Sequence, residues 1–252
     1  MSRAIITATI HDAEHFTEEQ RNEIIKSYPA WERKARVSGV PALGSGVIFP
    51  VSEETITCER RELPAHWPRI GAMDFGWTHA FAAVELAWDR DADCVYVVKT
   101  YRIKEATPVQ HAAALRAWGE KLRWMWPRDG NRETLEGAGI ALSAQYAAQG
   151  LNMWHEFSHY VEGNGQKSVS VEAGLMDMLD RMQTGRFKVF REHHDWFDEF
   201  RLYHRRDGKV FKENDDLMAA TRYGVMMLRH AQTARAYKDF RRPLVYPKQG
   251  YF

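Results

Sequence analysis

The chain has 252 residues, 44% of them hydrophobic and 12% aromatic, with 35 Lys and Arg against 34 Asp and Glu for a net charge of +1. That length accommodates one domain of about 150 to 200 residues plus extensions, and nine Trp in so apolar a chain exclude long disordered stretches. The balanced charge excludes attraction to nucleic acid by overall basicity, so such a surface has to arise from charge segregation.

Cys58 and Cys94 stand far apart with no C-x-x-C pair, which fits a reducing cytoplasm and supplies no disulfide or zinc framework. The apolar run at residues 1–7 is too short for a secretory signal, and no stretch approaches the ~20 apolar residues of a membrane span. We expect a soluble intracellular protein with no membrane partner.

In chain order, residues 4–10 form a β-branched run. Thr17-Glu18-Glu19-Gln20 opens a helix running through Ile24 and Ile25 to Tyr28-Pro29, and residues 30–37 read as a second helical piece. Gly39, Pro41, Gly44, Gly46 and Pro50 mark a linker or extended arm, so the domain proper is expected to begin near Trp67. Strands follow at 70–75, 80–88 and 94–103, the last two joined by turn-rich 89–93, which predicts a three-strand antiparallel meander. Thr107-Pro108 opens a helix to 118. Residues 122–127 read as a strand and 142–149 as a helix closed by Gly150. A strand at 153–160, an amphipathic helix at 171–182 and a strand at 187–190 come next. This alternation implies parallel pairing and a sheet covered on both faces. Residues 195–205 are predicted helical with an aromatic face, 206–209 a turn, and 215–230 a long final helix.

Asp74 follows the apolar run Ile70-Gly71-Ala72-Met73, Asp129 ends the apolar strand at 122–127, and Asp215 and Asp216 begin the last helix. Carboxylates converging from strand ends and a helix start make a hard-oxygen site suited to Mg²⁺ or Mn²⁺. Two such ions about 4 Å apart activate a water and steady the departing oxygen of a phosphodiester. Each acid also has an ordinary structural reading: Asp74 and Asp129 as turn formers, Asp215 or Asp216 as a helix cap.

Three antiparallel strands, then helix, strand, helix, strand, with acids at these places, describe an α/β, ribonuclease H-like domain. The segments Gly71-Ala72-Met73-Asp74-Phe75-Gly76-Trp77, Trp126-Pro127-Arg128-Asp129-Gly130, Val171-Glu172-Ala173-Gly174-Leu175, Arg181-Met182-Gln183-Thr184-Gly185 and Lys212-Glu213-Asn214-Asp215-Asp216-Leu217-Met218 carry the chain further. They resemble the C-terminal nuclease domain of phage terminase large subunits, with a likeness from about Leu43 to His230. The resemblance implies an endonuclease that cuts concatemeric double-stranded DNA during genome packaging, with two divalent ions, Mg²⁺ or Mn²⁺, held by Asp74, Asp129, Asp215 and Asp216. Of the last pair, Asp216 is the favoured ligand. It also implies, as partners, the terminase ATPase domain, the small terminase subunit and the portal protein, and a setting in the cytoplasm of an infected bacterial host. The isolated domain is expected to be a monomer.

The G-x-x-x-x-G-K-[ST] phosphate loop of a motor domain is missing; Gly163-Asn164-Gly165-Gln166-Lys167-Ser168 has the wrong spacing to cradle phosphates. Residues 1–65 accordingly look like the end of a motor domain and a linker, 66–235 like the nuclease domain and 236–252 like a tail that docks on another packaging subunit. The chain reads as an excised domain.

Arg201, His204, Arg205, Arg206, Lys209 and Lys212 cluster near the acidic pair and are candidate phosphate contacts that would give little sequence preference, with a solvated helix face as the competing reading. Thr78 and His79, just after Asp74, are second-rank candidates. His155-Glu156-Phe157-Ser158-His159 matches the H-E-x-x-H zinc-protease signature, which needs a helix; the expected strand at 153–160 argues against it. A resolvase-like nuclease on the same fold and a nucleic-acid-binding module without catalysis would also fit the acids and the basic cluster.

Overall fold

The computed structural model describes residues 9–13, 15–27, 37, 46–133, 139–161, 165–206 and 208–233. The predicted run at 4–8, the helix at 30–36, the arm at 39–45, the start of the would-be phosphate loop and the tail at 237–252 lie outside the described residues.

The domain is built on strands whose alternation serves two cores at once. In β2 (Arg69–Asp74), Ile70 and Ala72 enter one core while Met73 enters the other, as the two-residue repeat of a strand requires. β3 (Phe81–Asp89) and β4 (Cys94–Ile103) continue it as the expected antiparallel meander. β5 (Arg123–Met125) then pairs parallel with β2, and β6 (Asn152–Met153) parallel with β5. On the other side, β9 (Phe187–Phe190) lies parallel to β4, and β1 (Thr57–Cys58) parallel to β9. The seven-strand order is β1-β9-β4-β3-β2-β5-β6, the mixed α/β sheet expected of a ribonuclease H-like domain. Two small hairpins sit outside it: β7 (Tyr160–Val161) with β8 (Lys167–Ser168), and β10 (Arg205–Arg206) with β11 (Lys209–Val210). A separate helix, α1 (Glu18–Ser27), has no buried residue.

One face of the sheet is covered by α5 (Val171–Gln183), α6 (His194–Leu202) and α7 (Asp216–Met226). Leu175, Met178, Trp196, Phe200, Leu217 and Val225 pack there against Ile70, Val84, Leu86 and Val97. α7 crosses β2 and β3 directly because its Gly224 has no side chain: a Cβ there would stand 2.6 Å from Leu86 Cδ1. α3 (Pro108–Arg116) and α4 (Leu142–Ala148) cover the opposite face, where Leu115 and Tyr146 meet Met73, Phe81 and Trp124. α3 starts as its sequence implies, with Thr107 and Gln110 in a reciprocal capping box and Pro108 in the first turn. No helix among the described residues is long and apolar enough to cross a membrane.

Three elements differ from expectation. Of the strand expected at 153–160, only Asn152–Met153 joins the sheet. Trp154 N–H still donates to Trp124 C=O at 2.9 Å and Ser158 N–H to Trp126 C=O at 2.7 Å, so the chain between them loops out of the ladder. The aromatic helix ends at Leu202 rather than 205, because Arg205 and Arg206 pair into the β10–β11 hairpin. The last helix is α7 followed, after Met227, by a 3-10 turn at Leu228–His230. Ahead of Trp67, a short helix α2 (Glu53–Ile56) leads into β1, and Ile48, Phe49 and Ile56 belong to the main core. Part of the expected arm therefore belongs to the fold of the domain.

Candidate functional site

Parallel pairing of β2 with β5 sets the site. Asp74 is the last residue of β2, and Asp129 sits in the 3-10 turn Arg128–Asn131 that follows β5, so both carboxylates leave the same edge of adjacent strands. Asp215 and Asp216 arrive at the start of α7, which lies across β2. All four line one cavity of about 430 Å³.

The acids influence one another electrostatically. Burial pushes the Asp74 carboxyl well above the usual carboxylate range, and the charges of Asp129, Asp215 and Asp216 push it further, against Arg222. Asp129 is raised by burial against Arg132, two backbone amides and Lys212, and its Oδ1 is buried without a hydrogen-bond partner. Asp215 is raised by burial and by Asp216, against Lys212 and Arg222. Burial, with mutual repulsion at Asp74 and Asp215, thus makes these acids harder to ionise in spite of the basic residues nearby, a condition that a bound divalent cation relieves.

The donor set, four carboxylates with one buried unpartnered oxygen, has the chemistry that Mg²⁺ or Mn²⁺ prefers. Among the described residues no three His, Cys, Asp or Glu side chains already stand in metal-holding geometry. The acids line a cavity rather than form a closed cage.

The acidic pair divides its work. Asp215 occupies the N-cap position of α7 but its side chain makes no capping bond. Glu199 of α6 does that instead, its Oε2 accepting from Leu217 N–H at 2.7 Å and Met218 N–H at 3.2 Å. Asp216 Oδ2 accepts from Arg102 Nε at 3.2 Å and Nη2 at 3.0 Å, and Arg102 Nε also stands 2.9 Å from Glu199 Oε1. Asp216 is therefore held toward β4, whereas the Asp215 carboxylate forms no ion pair among the described residues.

Residues 71–228 match the family model described as the terminase RNase H-like domain. The chain belongs to this family. Residues 2–56 match a second model, described as the N-terminal part of T4-like terminase large subunits. Among relatives of this terminase domain, the terminase large subunit of Salmonella phage P22 is 44% identical over 243 residues, covering 96% of this chain and 47% of that protein. That of Enterobacteria phage LP7 is 44% identical over 235 residues, covering 93% and 48%. The chain thus spans about half the length of these relatives. The solved P22 large terminase nuclease domain superposes with a TM-score of 0.68 at 43% identity, over 75% of this chain and 96% of that one. A large terminase from a thermophilic bacteriophage shares the fold at 14% identity, with a TM-score of 0.56 over 86% and 54%.

The candidate basic residues of this terminase domain separate once folded. Arg201 is tied to Glu53 through two bonds of 2.8 Å and to Asp198 at 2.6 Å, and Arg205 to Glu172. His204 Nδ1 contacts the Leu202 carbonyl, and Arg206 lies over the Phe211 ring. Lys209 is exposed on β11. Of the six, only Lys212 lines the acidic cavity, and of the second-rank pair only His79 does; Thr78 is exposed in the loop after β2.

The H-E-x-x-H segment is not helical, so its histidines do not share a helix face. The His155 side chain is 72% exposed and that of His159 2% exposed, while Glu156 is ion-paired with Lys167.

Sequence reading passed over Arg102, Glu199, Arg222 and Ser158. A charged residue inside an apolar helix stripe, such as Glu199 between Trp196 and Phe200, is the one local signal that marked any of them.

Proposed function

We propose that this chain is a divalent-metal-dependent endonuclease for double-stranded DNA, the nuclease part of a terminase that cuts concatemers during packaging. The reading rests on four carboxylates from three places in the fold lining one cavity, in a chain 43% identical to the P22 nuclease domain. In it, Asp74, Asp129 and Asp215 hold the cation, with Asp216 fixed by Arg102 as their support, a reversal of the preference within the pair. When bound, two Mg²⁺ or Mn²⁺ ions supply Lewis acidity and a water acidified to act as nucleophile near neutral pH. Lys212 in the cavity lining draws in the phosphate backbone, and contacts confined to that backbone leave cleavage with little sequence preference.

Residues ahead of about Ile48 are on this reading the end of an ATPase motor domain with its linker, supported by the family match over residues 2–56, while Ile48, Phe49, Ile56 and β1 pack with the nuclease domain, and 236–252 are a tail. The ATPase domain, small subunit and portal are then partners of the longer protein.

Plasmid cleavage by the purified chain with Mn²⁺, Mg²⁺, Zn²⁺ or EDTA, beside Asp74→Ala, tests the proposal. Nicking and linearisation with Mn²⁺ or Mg²⁺, abolished by EDTA and by the substitution, are expected. Cleavage that survives in Asp74→Ala, or that no Mg²⁺ or Mn²⁺ supports, would overturn it.

A further inference from the structure

The same cavity carries a second polarity. Arg222 of α7, 5% exposed, and Ser158, 2% exposed, line it together with the acids. Arg222 Nε and Ser158 Oγ are both buried with no hydrogen-bond partner among the described residues. No carboxylate oxygen of a described residue comes within the 4.0 Å of an ion pair with Arg222. The guanidinium is instead held over the Tyr223 ring, 4.4 Å from its centroid. The acids balance this charge only at a distance, as the opposing effect of Arg222 on Asp74 and Asp215 shows, and a buried guanidinium whose Nε has no partner among the described residues is costly unless another anion completes it.

The surroundings are shaped to seat this side chain. Gly174 is the fourth residue of α5, inside a helix that glycine weakens. A Cβ there would stand 2.6 Å from Arg222 Cγ and 2.8 Å from Cδ, mid-stem atoms that have little freedom to move aside. The missing side chain lets the arginine stem pass between α5 and α7 into the cavity.

We propose that Arg222 and Ser158 form a seat for a phosphodiester oxygen of the DNA strand, in the cavity they share with the carboxylates and Lys212. This rests on the nuclease reading and deepens it. The guanidinium and hydroxyl donate to a non-bridging oxygen, while the carboxylates take the cation that a phosphate would share. One cavity then grips the same phosphate through both sets of residues, which positions it without reading a base.

The test uses the full chain with a fluorescein-labelled duplex of about 25 base pairs in Ca²⁺, titrated across salt, for wild type, Arg222→Gln, Arg222→Lys and Gly174→Ala. Mn²⁺ binding without DNA is measured alongside by calorimetry. Arg222→Gln should bind duplex about tenfold more weakly, with the salt slope reduced by about 0.9. Arg222→Lys should restore the slope and only part of the affinity, and Mn²⁺ affinity without DNA should not fall. If Arg222→Gln unfolds, the deciding comparison is Gly174→Ala, which keeps the charge but displaces the stem and should also weaken duplex binding.

Unchanged duplex affinity and slope in a folded Arg222→Gln would make the arginine a mere counter-ion to the acids and overturn the seat, while metal-dependent cleavage by wild type left the nuclease reading intact. A wild type that binds no duplex would overturn both. Stabilisation of wild type but not Arg222→Gln by inorganic phosphate, without any duplex effect, would assign the seat to a free anion and also overturn the proposal.

Discussion

Glu199 illustrates how one buried carboxyl serves a site it does not line. Burial, and then the charge of Asp216, push it up to about 8, although Arg102 and the amides of Met218 and Leu217 oppose the shift. The folded chain thus keeps a proton that the unfolded chain releases near 4.5. Between those values the unfolded state binds fewer protons, so this group lowers stability as pH rises from about 4.5 to about 8. In EDTA, the melting temperature of Glu199→Gln should fall less steeply over that window than that of wild type. The amide oxygen still accepts from the first turn of α7, so the cap survives. Identical slopes for the two proteins would show that Glu199 is ionised throughout. Only its place between Trp196 and Phe200 was legible beforehand; its partners, Arg102 and the first turn of α7, lie far away in the chain.

At the scale of elements, the periodic segments were readable because their signals are local. Thr107-Pro108 starts α3, and strand-forming runs bounded by the turn-rich residues 89–93 give β2, β3 and β4. The stretch after Met153 failed because its hydrogen bonds run to Trp124 and Trp126, far earlier in the chain, which no local pattern contains. The crossing of α7 over the sheet is likewise a long-range fit. Gly224→Val would drive a branched side chain into Leu86 and Ala72, whose Cβ lies 3.2 Å from the position of the added carbon. We expect a loss of about 2 to 3 kcal/mol in denaturant unfolding. Because α7 also carries Asp215, weaker Mn²⁺ binding should accompany it; a variant as stable as wild type would mean that the helix does not press on the sheet.

Across the whole molecule, the boundary of the folded unit lies earlier than punctuation by Gly and Pro suggested. Phe49 packs on Phe200 and Tyr203, with ring centroids 6.0 and 5.7 Å apart, and Ile48 N–H donates to Tyr203 C=O at 3.2 Å. Phe49→Ala should therefore cost about 3 to 5 kcal/mol, as truncation of a core aromatic does, and chemical denaturation would read it. A loss below about 1 kcal/mol would return this segment to the status of a linker.

The sequence by itself determined most of the main strands and helices and offered Asp74, Asp129, Asp215 and Asp216 as candidates, because apolar runs and an acid at a strand end are properties of neighbouring residues, and its motif segments carried the resemblance to the family. Only the tertiary structure decided that these four acids share a cavity, that Arg102 pairs with Asp216 and, among the described residues, nothing pairs with Asp215, and that Arg201 and Arg205 are spent in ion pairs. It alone brings Arg222 and Ser158 to the same cavity. Which charges compensate one another depends on distances between residues far apart in the chain, and those distances exist only once the sheet and its covering helices have closed.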